Sequence, residues 1–484
     1  MSRIGFLLIA VALLLPATAV VIHGQSPARD PGPRSGTAGT PCVIDGVTTV
    51  GTGCPVGNLS ADQLRFFNNA AARFVSPEAV ANGLGPTFNG NSCGMCHSQP
   101  ATGGTSPSTT AFPGVGPNPQ VALATLNNAA NKLPFFVTAD GPVREARFKY
   151  KYAPDGSLDF DDPDGGVHDL FTIAGRTDAP SGCVYPQENF NKARNTGNLI
   201  FRIPTPVFGG GLIDAIDDAT ILANQAANGA AKRILGIRGK PNRSGNDGTI
   251  TKFGWKAQNK SLLMFAQEAY SVEIGETNMM FPQKRGFGGV PPPAGCVFNS
   301  LPGGNGLPED FTNYLPNPSS TELVPSDDDS FATFMRFLDQ PTPACSGASC
   351  SASIQNGRRL FTQVARCSLC HTPSLPTTPI SAFAPAALAS VQANVYSDLL
   401  LHHMGSGLAD GISQGNAGPD QFRTAPLWGV GQRVFFLHDG RTSDLLEAIR
   451  QHQSPGSEAN GAISIFSLFT EQQKQDLLNF LRSL

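Results

Sequence analysis

The chain has 484 residues, which is enough for two or three domains with buried cores. Its formal net charge is −3 and its pI is about 6.2, so the composition offers no strongly basic surface and argues against nucleic acid as a partner. Glycine (53) and proline (40) are frequent, which predicts long loops and short helices.

The N-terminus has the pattern of an export signal. Arg3 precedes an uncharged apolar run over residues 4–15, and residues 16–19 (Pro-Ala-Thr-Ala) offer a small-residue cleavage site. The pattern predicts a signal peptide over residues 1–24, a periplasmic location and a flexible leader over residues 25–41. Because apolar residues continue past the cleavage site, an uncleaved anchor is the alternative. No later apolar run is long enough to cross a bilayer, so we expect no membrane span after cleavage.

Two Cys-x-x-Cys-His motifs stand out in the rest of the chain, one in each half. Two thiols three positions apart can add to both vinyl groups of a haem, and the following histidine then binds the iron. A zinc site would need a second pair of cysteines or histidines close by, which neither motif has. The sequence therefore predicts two covalently bound haem c groups, held by Cys93, Cys96 and His97 and by Cys367, Cys370 and His371.

The other six of the ten cysteines indicate disulfides, because the chain is expected to be exported. Proximity in the sequence favours Cys42–Cys54 and Cys345–Cys350, which leaves Cys183–Cys296. Free buried thiols are the alternative.

The two halves of the chain repeat one plan. Residues 202–209 resemble residues 423–429, and each segment is followed by a ring residue and then by an amphipathic helix pattern. This repeat predicts a mainly α fold of two cytochrome c-like haem domains with long loops. The N-terminal domain covers residues 42–340 and carries insertions, and the C-terminal domain covers residues 341–484. The insertions account for residues 103–198 and 218–253.

Several segments carry a resemblance to a known family. They are residues 83–89 (Gly-Leu-Gly-Pro-Thr-Phe-Asn), 208–216, 253–257, 396–405, 422–429 and 437–441. Together they make the chain resemble the di-haem oxidoreductases once labelled thiol oxidoreductases. These proteins sit within the larger group of bacterial di-haem cytochrome c peroxidases and MauG-type enzymes. The resemblance covers residues 58–484, nearly the whole mature chain.

The resemblance implies a peroxidase-like oxidoreductase in which the C-terminal haem passes electrons to a reactive N-terminal haem. It places Trp255 between the haems and Glu273 above the reactive iron, as the acid/base that moves a proton between peroxide oxygens. The implied partners are peroxide or oxygen and a small periplasmic electron-transfer protein, either a cytochrome c or a cupredoxin. A core aromatic residue and a solvated carboxylate are the alternative interpretations of Trp255 and Glu273.

The first iron departs from the pattern of the group. No histidine occurs between His97 and His168, so the group's distal histidine is missing and we expect an open or weakly capped iron. Met279 and Met280 are the competing ligands, because they follow Glu273 closely. His168 either caps this iron or is a surface or pocket residue of the insertion.

The second iron also departs from the group. His452 stands where the group has a distal methionine, so we assign His371 and His452 as its axial ligands. A His/His pair lacks the thioether that raises the reduction potential, so this centre should be the more reducing variant. His402 or His403 is the alternative ligand, and we expect His438 at the haem edge.

Calcium between the haems is doubtful, because Gly209 stands where the group has an asparagine ligand. The acidic residues 159–164 lack the pattern of an EF-hand. Two other functions stay open. A pure electron-transfer cytochrome would hold two six-coordinate irons and use no substrate, whereas a haem oxygenase or oxidase would act on an organic or protein substrate.

Overall fold

The computed structural model describes residues 26–35, 39–44, 47–107, 117–297, 309–310, 325–381 and 384–484. The predicted signal peptide lies outside these residues. Within them, no helix combines the length and the apolar character that crossing a membrane requires.

Short helices and short antiparallel strands alternate along the described chain, with 33% helix and 14% strand. The prediction of a mainly α fold is therefore met only in part. The helices are α1 (Ala61–Val75), α2 (Cys93–Cys96), α3 (Gln120–Leu123), α4 (Phe190–Asn195), α5 (Gly210–Asp214), α6 (Asp218–Ala226), α7 (Gly229–Leu235), α8 (Leu262–Ala269), α9 (Asp327–Phe337), α10 (Ala352–Arg359), α11 (Leu445–Arg450), α12 (Asn460–Ser467) and α13 (Glu471–Ser483). The strands are β1 (Pro41–Ile44), β2 (Val47–Val50), β3 (Thr87–Phe88), β4 (Glu145–Phe148), β5 (Tyr150–Tyr152), β6 (Leu158–Pro163), β7 (Val167–His168), β8 (Phe171–Thr172), β9 (Leu199–Arg202), β10 (Asn242–Arg243), β11 (Ile250–Thr251), β12 (Leu375–Pro376), β13 (Gln392–Ala393), β14 (Leu401–His403) and β15 (Gln421–Arg423).

Helices α1 and α9 pack together beside the first haem motif. Helix α1 begins at a capping box closed by Ser60, which satisfies backbone N–H groups that the first turn leaves free. Phe67 stacks on Phe334 with 5.4 Å between ring centroids, and Phe74 lies 4.6 Å from the same ring. Phe74 also lies 6.1 Å from the ring of His97, so this helix pair forms a wall beside the first motif.

Helices α10 and α13 repeat that arrangement beside the second motif. They approach so closely that a Cβ atom on Gly357 would lie 1.9 Å from the carbonyl oxygen of Asp476, so only glycine fits there. Phe361 lies 5.4 Å from Phe480 of α13 and 6.2 Å from the ring of His371. Each motif is thus flanked by a helix pair that brings a phenylalanine next to the motif histidine.

Two strands of the predicted N-terminal insertion, β7 and β4, join β9 in a three-stranded antiparallel sheet in the order β7–β4–β9, the largest sheet among the described residues. In its register, Glu145 at the start of β4 faces Arg202 at the end of β9. This pairing brings Glu145 of the insertion next to the segment that follows it, residues 202–209, and therefore next to the first site.

Buried apolar side chains form two main clusters. The second cluster lies within residues 360–484, whereas the first also includes Leu375, Leu388 and Trp428. The predicted domain boundary at residues 340–341 falls between α9 and α10. It stays a prediction, because the first cluster draws on residues from both sides of it.

The predicted flexible leader is at odds with the structure over residues 26–35. The Asp30 carboxylate accepts hydrogen bonds from two nitrogens of the Arg482 guanidinium, at 2.7 and 2.6 Å, and both side chains are buried. The backbone N–H of Ala28 donates to the Glu471 carboxylate at 2.7 Å. This segment is therefore bound to α13 by a buried ion pair. Its Pro- and Gly-rich composition did not indicate such a contact.

The three predicted disulfides are all present. Cys42 is bonded to Cys54, Cys183 to Cys296, and Cys345 to Cys350. The Cys183–Cys296 bond joins chain segments that lie 113 residues apart, one of them inside the N-terminal insertion. The remaining four cysteines, those of the two haem motifs, form no disulfide.

Candidate functional site

The first haem motif is built on one helical turn. The Ser92 hydroxyl accepts a hydrogen bond from the backbone N–H of Met95 at 3.2 Å and so caps α2. His97 follows this turn, and its Nδ1 lies 3.0 Å from the carbonyl oxygen of Gly104. A carbonyl can only accept, so Nδ1 carries the hydrogen and Nε2 is the nitrogen that can bind a metal. Burial lowers the pKa of His97 to about 4, which keeps the ring neutral.

The second motif has the same chemistry. His371 Nδ1 lies 3.0 Å from the carbonyl oxygen of Tyr396, which again leaves Nε2 as the nitrogen that can bind a metal. Burial, followed by the charge of nearby His452, lowers the pKa of His371 to about 4. The two motifs open into separate cavities that enclose about 1150 Å³ and 1480 Å³, partly open to solvent.

The side chains that line these cavities fit a haem. Arg202 Nε in the first cavity is buried without a partner among the described residues. So are Arg423 Nη1 and the Nε and Nη2 atoms of Arg433 in the second. The two propionates of a haem are the anions that such guanidinium groups would pair with.

His452, the predicted second ligand of this iron, lines the same cavity as His371. It is placed by α11, and its Nδ1 lies 2.8 Å from the carbonyl oxygen of Ala448 in that helix. As in the two motif histidines, this contact leaves Nε2 as the nitrogen available to a metal. Burial lowers the pKa of His452, so this ring too is neutral.

The alternative histidines are bound by carboxylates, although His402 also lines the second cavity. His402 contacts the Asp398 carboxylate through Nε2 at 2.9 Å and the Glu458 carboxylate through Nδ1 at 2.8 Å, so both of its nitrogens are used. His403 is half exposed and bound to Asp420. Among the described residues, one group has metal-ligand spacing, namely Cys370, Asp398 and His402. Its cysteine belongs to the haem motif, and its histidine is held by the two carboxylates.

Trp255 connects the two cavities. Its side chain lines both of them, and its Nε1 donates to the carbonyl oxygen of Ile203 at 2.9 Å. On the side of the second cavity, the ring of His438 lies 6.3 Å from that of Trp255 and stacks on Phe422 at 4.5 Å. His438 lines the second cavity beside these rings, as predicted for a residue at the haem edge, and burial lowers its pKa to about 4.

Glu273 faces the first cavity. It lies on a single turn of π-helix, Tyr270–Ile274, which extends α8, and its accessible surface opens toward the cavity. Asn89 Nδ2 donates to Glu273 Oε2 at 2.9 Å. Burial, followed by the charge of Glu145, raises the pKa of Glu273 well above its usual value, which favours the protonated form of this carboxyl group. Met279 and Met280, the competing ligands, point to solvent with 61% and 49% of their surface exposed.

We compared the chain with models of protein families and found a match. A sequence model described as "Di-haem oxidoreductase, putative peroxidase" matches residues 149–484, more than half of the chain. The chain belongs to the di-haem oxidoreductase family. Membership implies haem as the cofactor and makes the protein a peroxidase-like oxidoreductase, in agreement with the resemblance seen in the sequence. The comparison with curated proteins found no match.

Solved structures give more distant similarities. Hydrazine synthase of Kuenenia stuttgartiensis is 17% identical, with a TM-score of 0.23, and the match covers 34% of this chain and 56% of that one. A MauG-like protein associated with microbial copper homeostasis is 15% identical, with a TM-score of 0.29 and coverage of 64% and 95%. The di-haem peroxidase BthA from Burkholderia thailandensis is 12% identical, with a TM-score of 0.29 and coverage of 48% and 65%. TM-scores below 0.5 do not establish a shared overall fold.

His168 and the acidic residues near it form a structural cluster away from the first cavity. His168 contacts Asp164 and Glu188 at 3.0 Å each, and its ring stacks on Phe148 at 3.7 Å. It is buried and does not line the first cavity, so the interpretation as a cap of the first iron is wrong. The acidic segment 159–164 includes much of β6, and its Asp164 is bound by His168.

The sequence did not reveal several residues of the cavities. Glu145, Arg147 and Asn89 surround Glu273, and Arg433 lies in the second cavity. One pattern in the sequence could have drawn attention to Glu145 and Arg147. Glu145 and Arg147 alternate in a Glu-Ala-Arg-Phe segment, and residues two apart share one face of a strand. Nothing in the sequence pairs that strand with residues 199–202, so its position beside the first site could not be foreseen.

Proposed function

We propose that this protein is an exported di-haem c-type peroxidase that reduces hydrogen peroxide to water in the periplasm. The observation that carries the proposal is a difference between the cavities. In the second, His452, which follows α11, lines the cavity together with the motif histidine, whereas in the first the carboxyl group of Glu273 lines the cavity with His97. Two histidines suit a closed, electron-transferring iron, and a carboxyl group suits an open, reactive one.

Two haem groups would be attached through the thiols of the motifs. Arg202 at the first site and Arg423 and Arg433 at the second would pair with their propionates. When bound, haem supplies an iron that changes oxidation state and that binds peroxide where one axial position is free.

The roles of the chain's residues follow from their positions. His97 would hold the first iron and leave the Glu273 side open, while His371 and His452 would hold the second iron from both sides. Glu273 would deliver its proton to the leaving oxygen of peroxide, because a carboxyl group held protonated near neutral pH is an effective general acid. Trp255 lies between the sites and would carry electrons from the second to the first.

The overall reaction needs an external reductant. Hydrogen peroxide, two electrons and two protons give two molecules of water. A small exported electron-transfer protein, a cytochrome c or a cupredoxin, would supply the electrons one at a time at the second site.

Steady-state turnover tests this function. The purified holoprotein, given a reduced small cytochrome c, is expected to oxidise two equivalents of the cytochrome for each hydrogen peroxide consumed. A pure electron carrier would exchange electrons with the cytochrome and consume no peroxide. An oxygenase or oxidase would consume oxygen with an organic or protein substrate, and peroxide alone would not support stoichiometric cytochrome oxidation.

A further inference from the structure

Two carboxyl groups from separate parts of the chain meet in the first cavity. Glu273 comes from the π turn after α8, and Glu145 comes from the first position of β4. Both line the cavity that contains His97, and they are hydrogen-bonded to each other. Two carboxyl groups can share a hydrogen bond only when one of them carries a proton, since an ionised carboxylate has no hydrogen to donate.

The surrounding groups decide which carboxyl group holds that proton. Arg147 Nε donates to Glu145 Oε1 at 2.6 Å, and Arg202 lies across the strand pair from Glu145. Burial alone would raise the pKa of Glu145, but the charge and hydrogen bond of Arg147, followed by the charge of Arg202, outweigh it and lower that pKa. Among the described residues, Arg147 forms its ion pair with Glu145 and interacts with Glu273 only through its charge. The proton therefore resides on Glu273, and Glu145 is the ionised partner.

Asn89 fixes the orientation of the pair. Its Oδ1 accepts the backbone N–H of Leu170 at 3.0 Å, so its Nδ2 must face the carboxyl groups. Nδ2 donates to Glu273 Oε2 at 2.9 Å and to Asp169 Oδ1 at 3.2 Å. The amide therefore holds the Glu273 carboxyl group in place through Oε2.

We propose that Glu145 is a second catalytic carboxyl group, which shares a proton with Glu273 and works with it as an acceptor and donor couple. The inference rests on the proposed peroxidase function and deepens it. Glu145 lies on β4 and precedes residues 149–484, the part of the chain that matches the family model.

Glu145 and Glu273 together can accept and donate the protons of the first steps. The Glu145 carboxylate would accept the proton of one peroxide oxygen in the first cavity. The O–O bond breaks, and its electron pair leaves with the other oxygen, which keeps its own hydrogen, takes the proton of Glu273 and departs as water. The proton on Glu145 then returns to Glu273 through their hydrogen bond, so the pair ends with one proton, as it began. Two electrons from the reduced donor protein and two protons convert the remaining oxygen into the second water.

Other charged groups around the pair also act on Glu273 or on Arg147. Asp169 adds a negative charge that raises the pKa of Glu273 further, and Arg285 partly offsets it by pairing with Asp169 at 3.3 Å. Glu268 lines the same cavity and interacts with Arg147. None of these groups is hydrogen-bonded to Glu273 as Glu145 is, so replacing Glu145 should change the proton affinity of Glu273 the most.

Fluoride binding tests the pair without turnover. Fluoride binds a ferric haem best when a neighbouring acid supplies a proton to it. In the wild-type holoprotein, the affinity for fluoride should persist until Glu273 ionises. This should occur at a pH well above the usual pKa of a glutamate side chain. In Glu145→Gln the like charge is gone, so the pKa of Glu273 falls and the loss of affinity should move about 1 to 3 pH units lower. The rate of the reaction with peroxide should fall about 100-fold.

Controls separate the possible outcomes. Glu188→Gln makes the same chemical change in the inserted segment, away from the cavity, and should leave the fluoride profile and the peroxide rate at wild-type values. Glu145→Asp retains the charge but withdraws it from Glu273, so it should also slow the peroxide reaction, and it serves if Glu145→Gln does not fold. A wild-type protein that binds no fluoride would overturn the open first site and the proposed function with it. Normal fluoride binding by the wild type, with the same pH profile and peroxide rate in both Glu145 variants, would overturn the pair alone.

Discussion

Glu273→Gln is expected to slow peroxide turnover by about 100- to 10,000-fold, the usual range for losing a positioned acid or base. Glutamine keeps the shape of the side chain and its hydrogen bond from Asn89, but it has no proton to deliver to the leaving oxygen. Both haem groups should still be incorporated, because neither motif depends on this side chain. Stopped-flow measurement of the reaction between the oxidised or half-reduced protein and peroxide would give the rate.

The Glu188→Gln variant is the control for this prediction as well, since Glu188 binds His168 outside the cavity. Turnover by Glu273→Gln at the wild-type rate, with peroxide still binding, would show that Glu273 is not the acid. Loss of haem or of folding would show instead that the carboxyl group is structural.

His452→Met is expected to raise the reduction potential of the second haem, within the span of about 0.8 V that axial ligands control. A thioether ligand favours ferrous iron more than an imidazole does, and the low-spin spectrum should persist because the sixth position stays filled. Spectroelectrochemical titration would separate the two haem potentials.

His403→Met makes the same exchange at a half-exposed histidine that is bound to Asp420, and it should leave both potentials unchanged. If His452→Met behaved like this control in both potential and spectrum, His452 would not be a ligand of the iron.

Local patterns in the sequence predicted the parts of the site that lie within one turn or one short segment. The spacing of Cys93, Cys96 and His97, repeated in the motif of the second half, identified residues that line the two cavities. It could do so because one helical turn determines how those side chains are arranged. The three disulfides followed from proximity and elimination. The position of His452 followed from counting residues along one short helix.

The sequence could not predict contacts that depend on distant pairing. Glu145 reaches the first cavity only because β4 pairs with β9, about 55 residues along the chain, and no local pattern specifies that register. The segment at residues 26–35 was interpreted as flexible from its composition, yet Asp30 forms a buried ion pair with Arg482 near the other end of the chain. The short strands, most of them two to four residues long, were missed for the same reason.

Electron paramagnetic resonance of the fully oxidised holoprotein tests the central claim most directly, namely that the two haem sites differ in coordination. One haem should be held by His371 and His452, and the other by His97 alone with Glu273 facing its open side. The account predicts one low-spin and one high-spin ferric signal in equal amounts, and addition of fluoride should perturb only the high-spin signal. Two low-spin signals that fluoride leaves unchanged would contradict it.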